Sequence, residues 1–170
     1  KLTPEEMQAL IAQVEAEGDP AAGEAVYRRR ELNCIQCHAI GGAGGMVGPD
    51  MISLGATAQL DYIIDALLDP NKQIKENYHT MIVLDSDGRT YSGIVVRRTD
   101  EELLLRDAEG KEQAVPLNTI DQTQQGVSLM PAGLVDKLTR AELVDLVAFL
   151  KALGRLPEFT VGKEPLIRNW

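Results

Sequence analysis

Apolar residues recur at helical spacing in four stretches of this chain, and a fifth stretch between them changes to short extended runs. Near the start, Met7, Leu10, Ile11 and Val14 fall on one stripe. Thr3 offers an N-cap, Pro4 the first helical position, Glu6 a capping box and Leu2 a staple onto Met7. These signals predict a helix from about residue 3 to Gly18, docked by its stripe on the rest of the body. Asp19-Pro20 opens a second helix carrying Gly23 and Tyr27. Glycine within a helix costs about 1 kcal/mol relative to alanine, so Gly23 is read as a place where another backbone crosses closely. A third helix is predicted from Thr57 to Leu68, with Leu60, Ile63, Ile64, Leu67 and Leu68 inward and Asp69-Pro70 as its stop. The last has the fullest set of signals: Thr139 and Glu142 as a capping box, Leu138 and Leu143 as a staple, then Leu146, Val147, Leu150 and Leu153 before Gly154.

Between Asn77 and Asp121 the pattern is extended. Tyr78 to Asp85, Arg89 to Arg98, Glu101 to Arg106 and Lys111 to Pro116 are rich in Val, Ile, Leu, Thr and Tyr. Turn signals at Asp87-Gly88, Thr99-Asp100 and Glu109-Gly110 separate them. A meander of about four or five strands follows, expected to close into a small barrel-like sheet. No catalytic constellation is visible in it.

Composition alters this picture in two ways. The 170 residues are 44% apolar but only 4% aromatic, which is thin for a protein core and leaves room for a flat apolar group from elsewhere. No apolar run approaches the ~18 residues of a membrane span. The formal charge of −9 argues against nucleic acid and anionic membrane surfaces, and favours a partner with a basic rim. The Arg28-Arg29-Arg30 run is read as a solvated face, with contact to an anionic group or a partner as the alternative. The chain opens at Lys1 without a signal peptide, so a mature form or a fragment of a longer protein is expected.

The chemistry lies in Cys34-Ile35-Gln36-Cys37-His38, which holds both cysteines and one of the two histidines. Random placement would produce this spacing on the order of once in several thousand shuffles. Cysteines at i and i+3 share a helix face, so both thiols can reach the two vinyl groups of one porphyrin edge, and the adjacent imidazole can turn to the iron. Haem attachment therefore accounts for all five residues. A thioredoxin-like couple would follow a strand in a βαβ unit, which is missing before Cys34. Structural zinc needs four closed ligands, and His79 is the only further histidine. A plain disulfide leaves His38 without a role.

A second axial ligand would come from Met7, Met46, Met51, Met81, Met130 or His79. Met7 and Met81 fall in buried patterns, and His79 in a strand. Met130 differs, because Ser128-Leu129-Met130-Pro131-Ala132-Gly133-Leu134 places it on a proline-braced loop ahead of a helix. A thioether binds iron weakly and needs such a held loop. The Gly41-Gly42-Ala43-Gly44-Gly45 run is a loop able to pass near the porphyrin and lacks the setting of a phosphate loop.

Cys34-to-His38, then Gly48-Pro49-Asp50, then Met130-Pro131, between helices carrying Gly23 with Tyr27 and Phe149, resembles the class I c-type cytochromes. The order looks most like the haem-binding domain family of Pirellula/Verrucomicrobium type, in which an extended insert precedes a Ser-Leu-Met-Pro-x-Gly-Leu loop. The resemblance covers roughly Asp19 to Gly154 and leaves residues 3–18 outside. It implies a mainly α fold, with cytochrome c-like helices around a haem and an inserted small antiparallel β subdomain. The implied division is an extra N-terminal helix at 1–18, cytochrome parts at 19–76 and 122–155, the β insert at 77–121, and a tail or linker at 156–170.

The resemblance further implies one covalent haem c with thioethers at Cys34 and Cys37, His38 as proximal ligand and Met130 as distal ligand. The Pro49 carbonyl would take the hydrogen bond from the other nitrogen of His38. Gly23 and Tyr27 would meet Leu146 and Phe149 where the terminal helices cross. Electron transfer is the expected function, with unidentified redox donor and acceptor proteins or a fused dehydrogenase domain as partners. Attachment of this kind implies a periplasmic or otherwise extracytoplasmic location. A haem sensor or peroxidase-type enzyme is the alternative and would need a displaceable sixth ligand.

Overall fold

The computed structural model describes residues 1–160 of the chain. Six α-helices occupy Pro4–Glu17 (α1), Pro20–Tyr27 (α2), Cys34–Cys37 (α3), Leu54–Thr57 (α4), Leu60–Leu68 (α5) and Arg140–Ala152 (α6). Five strands lie between α5 and α6: Thr80–Asp85 (β1), Thr90–Arg98 (β2), Glu102–Arg106 (β3), Glu112–Pro116 (β4) and Ile120–Gln125 (β5). Helices make up 38% and strands 21% of the structure, so the fold is not mainly α as expected. The difference has a physical origin. The sheet carries its own core, and long stretches on either side of it, including 126–139, are loop and turn rather than helix.

α6 is the hub of the helical body. Val144, Leu146, Val147, Ala148, Phe149, Leu150, Ala152 and Leu153 are all buried, because α1, α2, α4 and α5 each pack on it. Capping boxes at Thr3/Glu6 and Thr139/Glu142 set the starts of α1 and α6. The α2–α6 crossing requires Gly23. A Cβ there would lie 1.9 Å from the Asp145 carbonyl oxygen and 2.7 Å from Phe149 Cβ. Tyr27 and Phe149 then meet with ring centroids 5.4 Å apart, and Phe159, from the start of the tail, adds an edge contact to Phe149 at 5.6 Å. Residues 161–170 of that tail lie outside the described residues.

The helix expected from Thr57 to Leu68 begins three residues later, as α5 at Leu60, and Thr57 instead ends the separate short helix α4. Gly55 abuts the Lys151 backbone, where a Cβ would stand 2.1 Å from its carbonyl oxygen. The Lys151 ammonium donates to the Gly55 and Ala58 carbonyls at 3.0 and 2.6 Å, satisfying the end of α4.

The sheet has the order β4-β3-β2-β1-β5, antiparallel throughout. β4 and β5 are its two edges, so it is open and not the barrel-like closure expected. Register shifts at Leu84/Asp85 and Val95/Arg97 curl it. Val83, Leu103, Leu105 and Val115 form a second core under that curl, with Met81, Tyr91, Val95, Leu117 and Ile120 packed around it. β5 extends to Gln125, past residue 121. Its side chains from Asp121 to Gln125 are exposed, so the strand is formed by its ladder to β1 and carries no apolar alternation for a sequence reading to detect. At the other end of β1, Asp85 accepts hydrogen bonds from the backbone N–H groups of Asp87 (3.0 Å) and Arg89 (2.8 Å) and from the Tyr91 hydroxyl (3.1 Å).

Candidate haem-attachment site

Asn33 takes the left-handed conformation at φ 54° and turns the chain into α3, a backbone state asparagine tolerates better than most residues. One helical turn then carries Cys34 and Cys37, both half-buried and not bonded to each other. Burial, with a smaller contribution from Cys37, pushes the Cys34 thiol up to about 11. It is therefore a protonated thiol at neutral pH, unlike the activated thiolate of a redox couple. Among the described residues, no three His, Cys, Asp or Glu side chains converge on a point where a metal ion could sit.

His38 leaves the helix in extended conformation and is held from three sides. Its Nδ1 lies 2.9 Å from the Pro49 carbonyl oxygen; because a carbonyl only accepts, Nδ1 carries the proton and donates. That bond fixes the tautomer and leaves the Nε2 lone pair free for a metal. Burial lowers the imidazole's pKa, against the opposing pull of the Pro49 carbonyl, so the ring is neutral and ready to ligate. The Tyr27 hydroxyl donates to the His38 backbone carbonyl at 3.1 Å. Gly48 lies flat against the ring, where a Cβ would come 2.3 Å from His38 Cε1.

Asp50 organises the loop opposite. Its carboxylate accepts from the backbone N–H groups of Gly41 (3.0 Å), Gly42 (2.8 Å) and Ile52 (2.8 Å). Desolvation alone would raise its pKa, but these three bonds outweigh it and hold the carboxyl below its usual range. The glycine run is thereby tied to the segment that carries Pro49. In the sequence Asp50 stands only as the last residue of Gly48-Pro49-Asp50; its capping role depends on the fold.

Met130 is half-buried and packs on the same helical core as Cys34, Ile35, Ile40 and Met51. Its backbone N–H donates to the Ser128 hydroxyl at 3.1 Å, and the Ser128 N–H donates to Asn71 Oδ1 at 2.8 Å. The loop is therefore anchored to the end of α5. Turns through residues 132–137 separate it from α6, which begins only at Arg140. His79 is exposed, immediately before β1, with Nδ1 3.0 Å from the Gln125 side-chain amide. Met46 is 73% exposed. In the arginine run, Arg28 pairs with Glu24 at 2.6 Å and Arg29 with Glu142 at 2.5 Å, so two of the three are used within the helical body. A shallow groove of about 610 Å³ lined by Ile11, Gly55, Leu60 and Lys151 includes none of Cys34, Cys37, His38, Pro49 or Met130.

Two half-buried thiols on one turn, a neutral imidazole with one nitrogen committed and one free, and a glycine packed against the ring where a side chain would collide suit a covalently held haem. No helix among the described residues is long and apolar enough to cross a membrane. No curated protein matches the chain. The family model for cytochrome c matches residues 20–154, from the first residue of α2 to just beyond α6, and names cytochrome c at large rather than the narrower Pirellula/Verrucomicrobium type. This chain therefore belongs to the cytochrome c family, whose covalently bound haem c serves electron transfer.

Proposed function

We propose that the protein is an electron carrier with one haem c joined to Cys34 and Cys37 and axially bound by His38 and Met130. It would work outside the cytoplasm, between redox proteins or as a domain of a larger oxidoreductase. The observation that carries the reading is the committed Nδ1 of His38, 2.9 Å from the Pro49 carbonyl. It leaves Nε2 as the free donor one residue from the cysteine pair. Haem iron there supplies one-electron chemistry with two ligands that serve both oxidation states. The chain's own residues hold the geometry constant between those states. Tyr27 fixes the His38 backbone, Pro49 fixes the ring, and the Asn71–Ser128 tie steadies the Met130 loop. The net charge of −9 favours donors and acceptors with basic docking rims.

Optical spectra of the oxidised and reduced protein test this directly. Thioether ligation predicts the weak far-red band of Met-bound ferric haem. Met130→Ala should abolish that band, admit carbon monoxide or cyanide and lower the reduction potential, since a thioether favours ferrous iron over water or nitrogen ligands. His79→Ala should leave all three unchanged. Rapid carbon monoxide binding by the wild type, or opening of the iron by His79→Ala, would replace the carrier with a sensor, a peroxidase or a bis-histidine cytochrome.

A further inference from the structure

Arg106 and the β3–β4 turn join the sheet to the haem-site loop. Arg106, the last residue of β3, donates from one guanidinium nitrogen to the Met46 backbone carbonyl at 2.9 Å and from the other to Glu112 of β4 at 3.0 Å. Its side chain is only 26% exposed. Beside it, a Cβ at Gly110 in the β3–β4 turn would lie 3.8 Å from a Val47 methyl, and Val47 is itself buried. Two residues after Val47 comes Pro49, whose carbonyl takes the His38 Nδ1 proton, and between them Gly48 lies against the ring. The Gly48 N–H returns to the Cys37 carbonyl at 2.8 Å. Segment 46–49 is thus fixed at its far end by α3 and the imidazole, and at its near end by the sheet.

We infer that Arg106 is a positioning residue for His38: by holding the Met46 carbonyl it keeps the Pro49 carbonyl on Nδ1 and so sets how strongly the imidazole donates to haem iron. The inference rests on the haem reading above and adds to it a role for the sheet in tuning the redox centre. Glu112 keeps the guanidinium aimed, because a fork held at both ends has fewer alternatives than a lysine with one contact.

The sign of the effect separates positioning from simple charge. A weaker Nδ1–H···O=C bond makes the imidazole a poorer donor, disfavours ferric iron and raises the potential. Loss of a nearby positive charge acts in the opposite direction, because it favours the more positive ferric state. The test uses the haem-loaded full chain as wild type, Arg106→Gln and Arg106→Lys. Arg97→Gln serves as control, removing an equal charge from a sheet pair with Glu102. Midpoint potential is read together with the hydrogen-exchange rate of the His38 Nδ1–H by NMR in the reduced state.

Arg106→Gln is expected to raise the potential and accelerate Nδ1–H exchange several-fold, with Arg106→Lys between it and wild type. Arg97→Gln should leave exchange unchanged. A downward shift in Arg106→Gln with unaltered exchange would overturn the inference. If Arg106→Gln fails to take up haem, Arg106→Lys decides, and wild-type potential and exchange in that variant would overturn it equally. A wild type lacking covalent haem, or lacking iron-bound His38, would instead sink the underlying haem reading before any variant is compared.

Discussion

The phenol of Tyr27 donates to the backbone carbonyl of His38 at 3.1 Å, joining the α2–α6 packing to the residue that follows the cysteine pair. Tyr27 is 3% exposed, and burial above all else raises its pKa, so the hydroxyl stays a donor at any working pH. Tyr27→Phe keeps the ring against Phe149 and deletes only this bond. It should cost about 1 kcal/mol in denaturant unfolding, whereas Tyr27→Ala should cost about 3–5 kcal/mol by emptying the core. Equal losses in the two variants would mean the hydroxyl contributes most of what Tyr27 does.

Gly23→Ala should be worse than its size suggests. The added methyl would meet the Asp145 carbonyl at 1.9 Å, and neither backbone can retreat without parting α2 from α6. The expected loss is at least the roughly 1–3 kcal/mol of an overpacked core. It should appear as a lower denaturant midpoint and a poor yield of haem-loaded protein. Gly42→Ala is the comparison, since that site has open space around it and a φ of +82°. Its cost should be limited to about 1–2 kcal/mol of backbone strain. A Gly23→Ala variant as stable as wild type would refute the close crossing.

Asn71→Ala should loosen the Met130 loop without touching haem attachment. It removes the acceptor of the Ser128 N–H, a bond worth about 1 kcal/mol. If Met130 ligates the iron, carbon monoxide should enter roughly fivefold faster for that loss, while Asn71→Asp, which keeps an acceptor oxygen, should stay near wild type. Stopped-flow mixing of the reduced protein with carbon monoxide reads the difference. Unchanged entry in Asn71→Ala would show that the loop is held elsewhere.

Asp85 gives the sheet an acid limit. Its side chain lies in a nearly closed position, 5% exposed. Desolvation pulls its pKa upward, but the Arg89 N–H, the Tyr91 hydroxyl and the Asp87 N–H together hold the carboxyl below its ordinary value. A carboxylate with a depressed folded pKa stabilises fully above its unfolded value of about 3.9 and loses that contribution as pH falls through the folded one. Sheet stability should therefore be flat near neutrality and decline below about pH 4. Asp85→Asn should lower stability at pH 7 and flatten the acid decline, read by thermal unfolding followed in the β region of the circular dichroism spectrum. An undiminished acid decline in that variant would assign it to other carboxylates.

Features carried by neighbours in sequence were legible before the fold was known. The capping boxes at Thr3 and Thr139 need only residues three apart, and the Cys34-to-His38 run needs only one helical turn, so sequence alone pointed to the family. Features created by distant backbone were not. The short helix α4, which takes Thr57 away from the start expected for α5, is capped by Lys151, remote in sequence. β5 has no apolar side to betray it and exists through pairing with β1. The ties from Tyr27 to His38, Asn71 to Ser128 and Arg106 to Met46 join one side chain to another residue's backbone, and a backbone group carries no mark in the sequence of being an acceptor or donor. Gly48 appears in the sequence only as part of Gly48-Pro49-Asp50, and only the imidazole packed on it explains why a larger residue would not fit.

The sheet leaves and re-enters the helical body at neighbouring points. Thr80 Oγ1 donates to the Val127 carbonyl, 47 positions away along the chain, and the Gly126 N–H returns to the Thr80 carbonyl. Because β1 and β5 are adjacent, with Met81 opposite Gln125, the host sees this whole stretch as it would see a tight turn. The entropy of closing so long a loop is met within the sheet by its own ladder and core, and the flanking helices need not bear it. Such an arrangement lets the segment lengthen, shorten or be exchanged for another hairpin-ended unit while the distance between α5 and the Met130 loop stays the same.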